Sequence, residues 1–148
     1  MFKFTNANAV VVTCCAILIM AWGHRAMAEG ALALGTSGDI AKDGYSIGIT
    51  WNYATTERAR EQALEWCRTH GSPRTRASCK FVIDIHRQCA AEATDPEPGT
   101  PGAGWAIAPD KQSAETMAMA NCMATAGQGR GQFCKVANSI CDTSDTRQ

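Results

Sequence analysis

The chain has no apolar run long enough to cross a membrane. Its longest, Ala9 to Trp22, holds 14 residues with only Thr13 clearly polar, against the ~20 that a spanning helix needs. Net charge is also missing: 14 Lys and Arg oppose 14 Asp and Glu. That balance removes any overall pull toward nucleic acid or an anionic membrane surface. No C-x2-C pair occurs, which argues against a cysteine zinc site and, with nothing else at metal-ligand spacing, against a bound metal. Histidine is scarce, with three in the whole chain. The nucleophile, zinc-protease, phosphate-loop and dinucleotide motifs are all absent. No catalytic constellation and no cofactor site can be read from the residues.

The N-terminus has the pattern of a secretory signal. Lys3 precedes the apolar run, and Ala26-Met27-Ala28 supplies small residues at a cleavage site. Residues 1–28 are therefore read as a signal peptide, with the mature chain starting at Glu29. A lipid-modified cysteine is disfavoured, because Thr13 precedes Cys14 and the apolar run continues past Cys15. The mature part, 29–148, is expected to be a single disulfide-stapled domain, periplasmic or secreted. It keeps 12 basic and 14 acidic residues and six cysteines: Cys67, Cys79, Cys89, Cys122, Cys134 and Cys141. An even number in an exported chain implies three bridges, chosen from 15 connectivities.

Self-similarity narrows that choice. At an offset of 55 residues Cys67 maps to Cys122, Cys79 to Cys134, Ala59 and Ala63 to Ala114 and Ala118, and Lys80 to Lys135. Both segments read A-x3-A-x3-C-x11-C-K. The chain is therefore read as two repeats, about 30–88 and 89–142. In the first, Ala31–Leu34 is a short strand. Tyr45, Ile47, Ile49, Trp51 and Tyr53 alternate with smaller or more polar residues, the period of a half-buried strand. A helix is expected from about Glu57 to Thr69, capped by Thr55 or Thr56 and stopped at Gly71. Its counterpart is capped by Ser113 and runs to about Thr125. Alanines and a cysteine spaced by four line one face of each helix. Cys79, Phe81, Ile83 and Ile85, and likewise Cys134, Val136, Asn138 and Ile140, should share one face of each closing strand.

The unit is thus β-β-α-β, twice. The simplest assembly is α+β: an antiparallel sheet of about six strands, with two helices on one face. The repeat spacing predicts the bridges Cys67–Cys79 and Cys122–Cys134, each closing a 13-residue loop worth roughly 3 kcal/mol. The third, Cys89–Cys141, should tie one copy to the other.

Candidate contact residues come from two biased segments. Arg68, Arg74 and Arg76 lie in a stretch with five basic residues and one acidic, a local excess suited to an acidic partner. Pro98 and Pro101 stiffen the loop that Trp105 closes, and a stiff loop loses less entropy on binding. His70 falls at a helix end, where a cation suits the dipole. Asp84 and His86 share a strand face and are the one visible carboxylate–imidazole pair, although no nucleophile lies beside them in sequence. Asp39, Asp43 and Gly44 miss the spacing of a calcium loop.

These residues resemble the bacterial family called domain of unknown function 4189. The resemblance runs through Gly30-Ala31-Leu32-Ala33, Tyr45-Ser46-Ile47-Gly48, the alanine–cysteine helices, Cys79-Lys80, Gln88-Cys89-Ala90-Ala91 and Gly104-Trp105-Ala106. It implies a small exported protein, often repeated in this way, and carries no activity or catalytic residue with it. The expected function is a binding module engaging another protein in the periplasm or outside the cell, with no nucleic-acid partner and no stable membrane insertion. The alternatives are an envelope hydrolase using Asp84, His86 or loop carboxylates, and a structural envelope component.

Overall fold

A computed structural model describes residues 29–142. The expected signal peptide and its cleavage site lie outside the described residues. The elements run β1 (Glu29–Thr36), α1 (Ile40–Asp43), β2 (Tyr45–Tyr53), α2 (Thr56–Thr69), α3 (Pro73–Ala77), β3 (Lys80–Ile85), β4 (Cys89–Thr94), β5 (Ala103–Ala108), α4 (Lys111–Thr125), a 3-10 turn at Gly131–Phe133, and β6 (Lys135–Cys141).

The α+β class and the antiparallel strands stand as expected, but the strands divide differently. They form two three-stranded sheets, β2-β1-β3 and β5-β4-β6, instead of one sheet of six. The helices lie on opposite outer sides and do not share a face. Helix α2 packs Ala59, Ala63 and Cys67 on Ala31 and Ala33 of the first sheet. Helix α4 packs Ala114, Ala118 and Cys122 on Ala91, Ala93, Ala106 and Ala108 of the second. The two inner faces meet each other through Leu32, Ile49, Ile85 and Ala90, joined by Ile47, Trp105, Ile107 and Ile140. The order of layers is helix, sheet, sheet, helix.

The reason is that these strands are apolar on both faces. Small residues face the helix and branched residues face the other sheet. A single sheet with helices on one side would leave the isoleucines in water, at about 25 cal/mol for each Å² exposed. Small residues let the helices come close. A Cβ on Gly48 would lie 2.0 Å from the Ala63 carbonyl oxygen, and one on Gly104 would lie 2.3 Å from that of Ala118. A half-buried β2 would also leave Ser46 and Thr50 in water, yet both are buried against α2. Their hydroxyls are satisfied there: Thr50 Oγ1 donates to the Ala59 carbonyl (3.0 Å) and Ser46 Oγ to that of His70 (2.6 Å).

Local signals set most boundaries. Thr55 caps α2 by accepting the Arg58 N–H. Asp110, not Ser113, caps α4, accepting both the N–H and the hydroxyl of Ser113. Helices α1 and α3 had no counterpart in the expectation; Asp39 and Ser72 cap them. The closing strands each contain a register shift. Leu32 pairs with Ile83 and Ala33 with Phe81, so Val82 is the extra residue. Glu92 pairs with Asn138 and Ala93 with Val136, so Ala137 is the extra residue. Phe81 and Val136 therefore turn to the helix side, away from the face of Ile83, Ile85, Asn138 and Ile140.

All three bridges pair as expected: Cys67–Cys79, Cys122–Cys134 and Cys89–Cys141. The last does not tie the halves together. Cys89 and Cys141 sit opposite each other on β4 and β6 of one sheet. The link between halves at this end comes from buried Asp142. Its carboxylate accepts the N–H groups of Asn52 (2.9 Å) and Arg87 (3.1 Å), and its own N–H donates to the Gln88 carbonyl (2.8 Å).

Candidate functional site: two matched grooves

Strands β2 and β5 are edge strands, and a groove runs beside each. The first has a volume of about 410 Å³ and wraps the β2 edge. On its outer side are Trp66 and His70 of α2. On its inner side are Glu92 and Asn138 of the second sheet. Trp51 meets Trp66 edge to face, ring centroids 5.9 Å apart. His70 is held at the end of α2 by a 2.8 Å hydrogen bond between Nδ1 and the Trp66 carbonyl. Tyr45 donates its hydroxyl to Glu92 Oε1 across the sheet interface. Burial, and then the Glu92 charge, push the Tyr45 phenol well above its ordinary range, so it stays a donor.

The second groove, about 590 Å³, lies beside β5, with Ile83 of β3 on its inner side and Met117, Asn121 and Thr125 of α4 on its outer side. The grooves correspond residue by residue. Gly48 and Gly104 hold the same place under their helices, so Ile47 and Ile49 match Ala103 and Trp105. At the 55-residue offset Trp66 matches Asn121, His70 matches Thr125, and Ile83 matches Asn138.

What differs is the treatment of the strand edge. In the second half, Asn121 Nδ2 donates to the Trp105 carbonyl (2.9 Å). Thr125 Oγ1 donates to the Ala103 carbonyl (2.7 Å) and accepts the Ala103 N–H (3.0 Å). These side chains occupy three of the four outward main-chain groups of Ala103 and Trp105. In the first half, tryptophan and histidine stand in those positions. No described residue hydrogen-bonds the outward main-chain groups of Ile47 and Ile49.

The residues singled out from sequence are scattered around this arrangement. Arg68 is exposed on α2, two residues before His70. Arg74 and Arg76 are on α3, and Arg74 reaches Asp43 at 3.6 Å, close to Tyr45. Neither Arg68 nor Arg74 lines the first groove. Pro98 and Pro101 are on the β4–β5 loop and do not line the first groove. That loop is tethered by Arg130, which bonds Asp95 through Nε (2.7 Å) and Nη2 (2.8 Å), reaches Glu97 (2.7 Å) and stacks on Phe133. Trp105 is half-buried among the branched residues between the sheets.

Asp84 and His86 do not pair with each other. Arg60 grips Asp84 with Nε and Nη2, and this hydrogen bonding holds the carboxyl below the usual carboxylate range. His86 Nδ1 is 2.6 Å from Glu29 Oε2. Asp43 is engaged by Arg74, and Asp39 caps α1. Among the described residues, no group of three or more His, Cys, Asp or Glu side chains could hold a metal ion.

Sequence reasoning missed Tyr45, Trp51, Trp66, Glu92 and Asn138 as a set. A signal was present: at the 55-residue offset Trp66, His70 and Ile83 fall on Asn121, Thr125 and Asn138, within a frame of matched alanines and cysteines. The comparison with protein families is decisive on membership. The family described as Domain of unknown function (DUF4189) matches residues 29–141. The chain belongs to that family. No curated protein and no solved structure matches the chain. Among the described residues, no helix is long and apolar enough to cross a membrane.

Proposed function

We propose that this DUF4189 chain is an exported binding module, made of two copies of one unit, that engages another protein through the groove of its first half. The observation that supports it most is the contrast between matched grooves. One edge strand is closed by asparagine and threonine, while the other is left open between two tryptophans and a histidine. Tryptophan is enriched where binding energy concentrates, and an open strand edge is a liability that proteins ordinarily cover. Three disulfides suit work in an oxidising compartment. The basic stretch that holds Arg68, Arg74 and Arg76 belongs to the same half and favours an acidic surface on the partner.

The test is capture from the native envelope fraction with purified mature protein. Wild type and a Met117→Ala variant in the second groove should retain the same protein. A Trp51→Ala/Trp66→Ala variant with intact disulfides should lose it. Equal capture by all three would remove the first groove from the reading.

A further inference from the structure

We infer that the β2 edge takes up an extended segment of the partner as an added strand. This rests on the reading of the first groove as the recognition site and names the form of what fills it. Edge strands carry outward N–H and C=O groups on alternate residues. On β5 these belong to Ala103 and Trp105, and α4 side chains bond three of the four, both groups of Ala103 and the Trp105 carbonyl. On β2 the matched residues are Ile47 and Ile49, whose two N–H and two C=O groups have no described partner outside the sheet. A peptide backbone is the ligand whose donors and acceptors repeat at that spacing. Strand addition is a recurring mode of peptide recognition, with main-chain bonds giving affinity and flanking pockets giving specificity.

The walls then specify the peptide. From Tyr45 to Trp51 the edge is roughly 20 Å long, room for about six extended residues. An added strand points alternate side chains to opposite faces. One set would meet Trp66 and His70 on the helix side. The other would meet Glu92 and Asn138 on the inner side. The expected segment alternates apolar or aromatic residues with hydrogen-bonding ones.

A random decapeptide library displayed against the purified mature protein tests this. Selected peptides should show the alternation. Backbone N-methylation at alternate positions should weaken binding tenfold or more, while methylation at the intervening positions should not. The double variant Trp66→Asn/His70→Thr copies the edge cover of the second half and should abolish peptide binding, with its disulfides checked by peptide mapping. Peptides indifferent to N-methylation, or still bound by the double variant, would overturn strand addition. No selected peptide, with envelope capture still lost in Trp51→Ala/Trp66→Ala, would also overturn it and leave a folded partner surface as the occupant. Loss of both results would overturn the binding reading itself. A dimer in sedimentation that the double variant dissolves would put a second copy of this chain on the edge, and so overturn the partner segment.

Discussion

The two halves have one topology and differ in what they place on it. At the start of β4 and the end of β6, Cys89 and Cys141 are covalently joined across the sheet. The matched positions in the first sheet are Glu29 and His86, whose Oε2 and Nδ1 lie 2.6 Å apart. At the edges, α4 sends Asn121 and Thr125 onto β5, while α2 offers Trp66 and His70 beside β2. Positions that stay the same, such as Gly48 and Gly104, serve the packing that any copy needs. Positions that diverge are released from that duty, and that is where recognition chemistry can collect.

The largest effects should come from breaking the staple. Cys89→Ala/Cys141→Ala should cost about 2–5 kcal/mol in denaturant unfolding. His86→Ala at the matched position should cost about 1 kcal/mol, since the His86 side chain is half exposed and Thr56 still donates to Glu29. The comparison sharpens with Glu29→Cys/His86→Cys: the same geometry should yield a fourth bridge, visible in non-reducing peptide mapping. Failure to oxidise would show that the two ladder ends are not equivalent.

Gly48→Ala and Gly104→Ala come next. Each drives a methyl into helix backbone, so each should destabilise by about 3 kcal/mol. A large difference between them in thermal unfolding would break the equivalence. Asp142→Ala removes the carboxylate that accepts the Asn52 and Arg87 N–H groups and should cost about 1 kcal/mol. Hydrogen exchange should then rise at Asn52 and Arg87 before it rises in the sheets.

Acid should weaken the halves through different pairs. Arg60 holds Asp84 low through its hydrogen bonds. For Asp95, burial opposes the charge, but the Glu97 N–H and the Arg130 guanidinium outweigh it and hold that carboxyl low too. Folded-state values below the unfolded ones mean stability that is present above about pH 4 and lost as pH falls through the folded values. Arg60→Met and Arg130→Met should each flatten that acid loss in pH-dependent unfolding. The smallest effect is expected from Arg74→Glu/Arg76→Glu. It should slow association with the captured partner several-fold at low salt and reduce its salt dependence.

Much of this was legible before any coordinates. Repeat spacing placed Ala59, Ala63 and Cys67 on one helix face and paired Cys67 with Cys79 and Cys122 with Cys134, because both are matters of local period and short loop closure; Cys89 and Cys141 were the two that remained. The α+β class followed from the same patterns. Three features were not legible. Period two says that β2 has two faces, but not that Ser46, Gly48 and Thr50 face a helix while Ile47 and Ile49 face a second sheet. The shifts at Val82 and Ala137 are invisible because a bulge is defined by the partner strand, not by its own residues. The open edge of β2 is likewise a relation between Trp66 and His70 on a helix and main-chain groups about 20 residues earlier. Local chemistry and spacing belong to the sequence alone. What covers a face, and what is left uncovered, was decided only when the two sheets packed, because burial is a property of neighbours distant in the chain.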